Sequence, residues 1–237
     1  LAVGLFDALF PHYCALCGLP SGVDLPLCLP CRSELRANGN SCGRCALPLP
    51  CASGGTAVCG SCLQSPPPFE RALAPWLYSE YLAHLIGRWK FHRDQKLTPL
   101  LADLWLQHAK PPEDIDLLVP VPLHWRRRWQ RGFNQSEQLA RELQLRQPAI
   151  AQISLETRLL RRSLATAAQS GMTAKQRAGN LRGAFTAMGS CDSLRIALVD
   201  DVLTTGATAR AAAWTLLEAG AQSVELWCLA RTPPPQD

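Results

Sequence analysis

The sequence predicts an α/β protein built on a parallel sheet and preceded by a small cysteine-rich module. Three observations carry that prediction. Eight cysteines fall in four Cys-x-x-Cys pairs before residue 63. From residue 71 onward, short apolar runs alternate with stretches of helical periodicity, the pattern of parallel strands covered by helices. Further along, Ile196, Ala197, Leu198 and Val199 show no polar alternation, which is how a strand buried on both faces reads.

Composition bounds the rest. A chain of 237 residues with 47% hydrophobic content can hold one substantial core plus a small extra module. A formal charge of +5 permits nucleic acid or phosphorylated ligands without demanding either. No apolar run approaches the roughly 18 residues that a membrane helix requires. The opening "LAVGLFDALF" is short, lacks a basic leader and is interrupted by Asp7, so it makes a poor signal peptide. A cytoplasmic location is expected.

The cysteine pairs are Cys14/Cys17, Cys28/Cys31, Cys42/Cys45 and Cys59/Cys62. A two-residue gap lets both thiolates of a knuckle point at one ion, and two knuckles close a tetrahedral site. The four pairs therefore predict about two structural zinc ions. The spacers, 18–27 and 46–58, are somewhat shorter than the commonest ribbon spacing, so pairing in sequence order is an inference. Disulfides and redox dithiols are the competing accounts. A reducing cytosol disfavours the first, and four pairs in one small segment exceed what a redox site uses. Residues 12–64 have little aliphatic periodicity, so metal binding, worth roughly 10–16 kcal/mol per structural site, is expected to supply most of their folding energy. Cys51 is left as a free thiol or substitute ligand, and Cys191 and Cys228 are expected to pack as small hydrophobes.

"QSPPPFE", residues 64–70, holds three prolines that cannot continue a helix or donate to a sheet, so it reads as a stiff linker. It divides a module over 1–66 from a domain over 67–237. In order, "RALAPWLYS" reads as a strand, "EYLAHLIGRWKFH" and "LTPLLADLWLQHA" as amphipathic helices, and "DLLVPVP" as a buried strand. A helix over 134–146, a weak strand near Ile153 and a short helix over 173–181 follow. Next comes the buried strand, which should end at Asp200 and Asp201, and an Ala-rich helix that Gly220 stops. "SVELWCLA" is the last strand.

The loop after the buried strand carries the chemistry. Thr204, Thr205, Gly206, Ala207 and Thr208 lead into a helix N-terminus, where unpaired N–H groups and partial positive charge suit a phosphate. Asp200 and Asp201 at the strand's carboxyl end can accept hydrogen bonds from sugar hydroxyls and attract a cation such as Mg²⁺. Acids for hydroxyls and a loop for phosphate describe a ribose 5-phosphate. A second basic segment, "VPVPLHWRRRWQRGFNQ", places Arg126, Arg127, Arg128 and Arg131 in a proline-bounded loop after the strand over 116–122. There Asn134 and Glu137 have capping-box spacing. These arginines suit a pyrophosphate or a nucleic-acid backbone, with Trp125 and Trp129 available for stacking; the bland reading buries the tryptophans beneath a solvated loop.

"LVDDVLTTGAT" resembles the phosphoribosyl pyrophosphate (PRPP) motif of type I phosphoribosyltransferases, with no departure over its length. The resemblance implies that Asp200 and Asp201 bind ribose hydroxyls, with Mg²⁺ accompanying PRPP, and that residues 204–208 hold the 5-phosphate. With the four knuckles, the arginine segment and "QSGMTAKQRAGNLRGAF", the chain resembles the ComF/GntX family: a double zinc ribbon followed by a phosphoribosyltransferase-like domain. Gln169, Arg177, Asn180 and Phe185 fall where that family's third segment is recognisable, and Met172 stands where leucine is expected. The family implies a competence or DNA-utilisation role in uptake or processing of incoming single-stranded DNA, with PRPP, DNA and DNA-processing proteins as partners. The alternative it implies is a phosphoribosyltransferase of unknown acceptor, which would displace pyrophosphate at the anomeric carbon while residues 163–172 close over the site.

Overall fold

In the computed structural model, residues 12–50, 57–162 and 183–234 are described. The cysteine-rich segment contributes two short helices, α1 (Leu29–Ser33) and α2 (Gly60–Gln64), each opening directly after a knuckle cysteine. The domain begins with β1 (Ala72–Leu73), β2 (Trp76–Leu77), α3 (Glu80–Phe91) and α4 (Leu97–His108). It continues with β3 (Leu117–Pro120), α5 (Trp125–Arg131), α6 (Gln135–Arg146), α7 (Pro148–Ala151) and β4 (Ser154–Leu155). Two short strands, β5 (Leu160–Arg162) and β6 (Phe185–Ala187), precede β7 (Arg195–Leu203), α8 (Ala207–Glu218) and β8 (Ser223–Arg231).

The main sheet is wholly parallel, in the order β4-β3-β7-β8, with β1 and β2 taking successive stretches of the β8 edge. The single strand expected over "RALAPWLYS" is thus broken in two. Pro75 has no N–H to give the ladder, so pairing stops after Leu73 and resumes at Trp76. β5 and β6 pair antiparallel outside this sheet, and neither was foreseen from a three-residue pattern. The helix expected over 173–181 lies outside the described residues.

Alternate residues of the central strands feed two cores. Ala197, Val199, Trp227 and Leu229 face α3, α4 and α6, whereas Ile196, Leu198, Leu226 and Cys228 face α8. On α3 the buried set is Leu82, Leu85, Ile86 and Trp89, one stripe at helical spacing. On α8 it is Ala209, Ala212, Ala213 and Leu216, small enough for a close approach to the sheet. Trp89, Trp105 and Trp227 are fully buried, and Trp105 donates its indole N–H to the Cys228 carbonyl at 3.0 Å. Gly220 stops α8 with φ of 100°, where an added Cβ would lie 2.2 Å from an Asp192 carboxylate oxygen.

The cysteine-rich segment is fastened to this frame. Ala37 bridges antiparallel to Trp76, and the Asn38 side chain donates to the carbonyls of Ala46 and Ala74, so the segment covers the broken sheet edge. Along the proline stretch, Phe69 is buried and the Glu70 N–H bonds the Val224 carbonyl.

The chain leaves β3 through α5 and α6 toward β4, and leaves the neighbouring β7 through α8 toward β8. The two crossovers diverge, so a crevice opens at the carboxyl ends of β3 and β7. In parallel α/β sheets that is where ligands bind.

Candidate ligand site and metal centres

The acids sit in this crevice, but within β7 and not at its end. The strand runs on to Leu203 because Val202 and Leu203 still pair with Ala230 and Arg231 of β8. The Asp200 carboxylate accepts from the Ser136 hydroxyl at 3.2 Å and from the Asp201 backbone N–H at 2.9 Å. The Asp201 carboxylate lies 2.7 Å from the Lys90 ammonium and accepts from the Val202 N–H at 2.6 Å. Loss of hydration, then the neighbouring charge of Asp201, raises the Asp200 carboxyl to about pKa 7.

Cations gather around the pair. Burial lowers the pKa of Arg131, opposed by the charge of Asp201, and burial together with Arg127 lowers that of Arg162, opposed by Asp200. Lys90, Ser136 and Arg162 were not foreseen. Lys90 closes an amphipathic helix and Ser136 follows an N-cap, and neither position carries a motif.

The loop folds as its residues require. Gly206 adopts φ of 77°, a left-handed conformation that glycine takes without a Cβ penalty, and the Thr205 hydroxyl accepts from the Ala207 N–H at 3.4 Å. Asp200, Thr204, Gly206, Ala207 and Thr208 line one small cavity. Acid and loop thus meet at a helix N-terminus.

The arginine segment is not a loop. Residues 125–131 form α5, capped by His124, whose Nδ1 accepts from the Arg126 N–H at 3.3 Å. Trp125 and Trp129 are 64% and 83% exposed, so they do not lie buried beneath the basic surface. Arg126 rides over the Trp125 ring at 5.2 Å, and Arg131 over the ring of exposed Phe91 at 5.1 Å. Asn134 caps α6 as expected, accepting from the Ser136 N–H. Glu137 does not complete a capping box; its carboxylate pairs with Arg141 at 2.9 Å and Arg128 at 3.9 Å.

The eight knuckle cysteines form two clusters, Cys14/Cys17/Cys28/Cys31 and Cys42/Cys45/Cys59/Cys62, with all sulfurs in each within 4.8 Å of one another. Tetrahedral zinc–thiolate sites have sulfurs roughly 3.8 Å apart, from bonds of about 2.3 Å. Cys17 and Cys28 lie at 3.8 Å and Cys45 and Cys59 at 3.6 Å, so the clusters fit one zinc ion each. The first knuckles of the two ribbons repeat the same turn. Gly18 and Ala46 follow the second cysteine with φ of 74° and 53°, and each donates to the carbonyl of Cys14 or Cys42. Cys191 and Cys228 are buried, and Cys51 lies outside the described residues. So do Gln169, Met172, Arg177, Asn180 and the loop over 163–172, while Phe185 is buried in β6. Among the described residues no helix is long and apolar enough to cross a membrane.

Comparison with known proteins adds three findings. Residues 5–63 match the double zinc ribbon domain family. The chain is 35% identical to DNA utilization protein YhgH of Salmonella typhimurium over 94% of this chain and 98% of that one. It is 33% identical to competence protein F of Haemophilus influenzae, covering 86% and 90%, and 30% identical to competence protein ComFC of Bacillus subtilis, covering 88% and 85%. Among solved structures, a purine phosphoribosyltransferase from Pyrococcus horikoshii aligns at 16% identity over 68% of this chain and 77% of that one. Its TM-score of 0.31 is too low to bear on function.

Proposed function

The chain belongs to the ComF/YhgH family of competence and DNA-utilisation proteins, and from that membership we propose that it binds PRPP or a related ribose 5-phosphate in the β3–β7 crevice and handles single-stranded DNA on the α5 face. One observation carries the reading: Asp200 and Asp201 stand beside a Gly206-opened loop at the N-terminus of α8, ringed by Lys90, Arg131 and Arg162, with Arg127 close to the two arginines. Asp200 and Asp201 accept from the ribose hydroxyls, and Thr204 to Thr208 donate to the 5-phosphate. Arg127 and Arg131 answer a pyrophosphate, and Mg²⁺, when bound, neutralises part of its charge. Arg126 and Arg128 with Trp125 and Trp129 face outward, combining backbone charge with stacking surfaces that suit single strands without sequence preference.

Calorimetry tests the pocket. Wild type should bind PRPP or ribose 5-phosphate with Mg²⁺ assistance, and Asp200→Asn with Asp201→Asn should weaken binding by about 2–3 kcal/mol or more while the domain stays folded. No binding by wild type, or equal binding by the double variant, sinks the assignment. Mg²⁺-dependent pyrophosphate release from PRPP against a panel of bases and nucleic acids decides whether binding leads to transfer. For the DNA face, a gel-shift titration at low salt should show a weak, salt-sensitive complex that prefers single strands. Replacing Arg126, Arg127 and Arg128 by alanine should reduce it while zinc content is unchanged; an unaltered complex moves the DNA surface elsewhere.

A further inference from the structure

The phosphate loop is held by more than its own strand and helix. Arg231, the last residue of β8, is buried, and its guanidinium reaches in two directions. Its Nε donates to the Cys45 carbonyl at 3.1 Å, inside the second cysteine cluster. Its Nη1 donates to the carbonyls of Leu203, at 2.9 Å, and of Thr204, at the root of the loop. On the other flank, Arg210 in the first turn of α8 donates to the carbonyls of Ser65 and Pro66, just past α2. Between these tethers lies a cleft of about 580 Å³, with Cys45, Cys59 and Cys62 on one side and Thr204, Thr205 and Gly206 on the other.

A guanidinium is a rigid planar fork, so the positions of the carbonyls it joins depend on one another. Metal in the second cluster fixes the knuckle that carries the Cys45 carbonyl. We propose that Arg231 is a positioning residue that couples metal held by Cys42, Cys45, Cys59 and Cys62 to ligand held by residues 204–208. The ribbon is then part of the ligand site's frame. By linkage, a ligand that orders the loop steadies the second ribbon by the factor through which the ribbon's metal strengthens the ligand. The ligand half of this proposal rests on the pocket reading above; the brace itself does not.

Hydrogen exchange read by mass spectrometry on the zinc-loaded full chain tests it, with ribose 5-phosphate and Mg²⁺ as the probe. In wild type, the probe should slow exchange in peptides covering the loop and also in those covering 42–50, by on the order of tenfold, while peptides over 14–31 do not respond. Slowing confined to the loop overturns the coupling. Arg231→Lys keeps the charge but loses the fork, so loop peptides should exchange faster without ligand and 42–50 should stop responding to it. Unchanged loop exchange in this variant overturns the brace whether or not the probe binds. Stepwise zinc withdrawal from wild type gives the same answer without substitution: loop exchange should rise when the second ribbon's metal leaves, and a loop indifferent to that loss overturns the proposal. Should the probe leave wild-type loop peptides unchanged while zinc loss and Arg231→Lys both free them, the pocket reading fails and the brace stands.

Discussion

Asp200 lies between Ser136 and Asp201, and lost hydration with a like charge beside it raises its carboxyl to about pKa 7. In the unfolded chain an aspartate ionises near pH 4. Between these values the folded state holds a proton the unfolded state has released, so this residue's contribution falls as pH rises from about 4 to 7 and stays low above. Asp200→Asn removes the effect. In chemical denaturation without divalent cation or ligand, the variant's stability relative to wild type should grow by roughly 2 kcal/mol or more between pH 5 and pH 8. An equal gap at both pH values would mean that the carboxyl is not perturbed. The proposed binding of cation and sugar would draw on the ionised pair, so affinity for ribose 5-phosphate with Mg²⁺ should rise over the same interval. The sequence shows two adjacent acids and hence the role proposed for them; it does not show Ser136 or Lys90, which are 64 and 111 residues from Asp200 and Asp201. Hydrogen-bond partners that far apart are set by packing.

At the scale of elements, α8 and the loop before it follow local rules. Gly206 takes φ of 77°, and a Cβ there would meet only ordinary van der Waals contact with Leu203, so the penalty for another residue is backbone strain. Gly206→Ala should cost about 1–2 kcal/mol in thermal or chemical unfolding and weaken ligand binding more than it weakens the fold. Unaltered stability would show that the loop relaxes freely. On the opposite face, Trp105 is fully buried against Trp227, ring centroids 5.3 Å apart. Trp105→Ala should cost roughly 3–5 kcal/mol in urea denaturation, since the cavity lies between α4 and the sheet centre. The amphipathic helices α3, α6 and α8 were legible because a buried stripe recurs at helical spacing, and α4 because a broad apolar face does. α5 was not: its residues Trp125 to Arg131 bury no side chain fully, so no apolar period marks it. β7 was read short because Asp200 and Asp201 look like an end, whereas the ladder with β8 continues past them.

Across the whole molecule, two metal clusters differ in exposure. Cys17 is exposed and Cys28 and Cys31 half-buried, whereas Cys42, Cys59 and Cys62 are buried. Protein purified under reducing conditions should hold about two zinc ions by elemental analysis. A chelator should take the first cluster's metal well before the second's, because attack needs access to sulfur. Loss of both in one phase would show that the clusters open together. The second ribbon's cysteines are covered by its own apolar residues, Leu47, Leu49 and Val58, which pack against Cys42, Cys59 and Cys62.

The sequence by itself determined the cysteine clusters, the parallel α/β class and the acid–loop motif, because knuckles, buried strands and helix N-termini are written in residues a few positions apart. Pairing of the knuckles in order, the ring of Lys90, Arg131 and Arg162 about the acids, the exposed tryptophans of α5 and the tether of Arg231 were decided by tertiary structure. The pairing, the ring and the tether join groups that the chain separates, and a side chain's partner across such a gap, like the exposure of the tryptophans, depends on which faces pack, which local pattern does not encode.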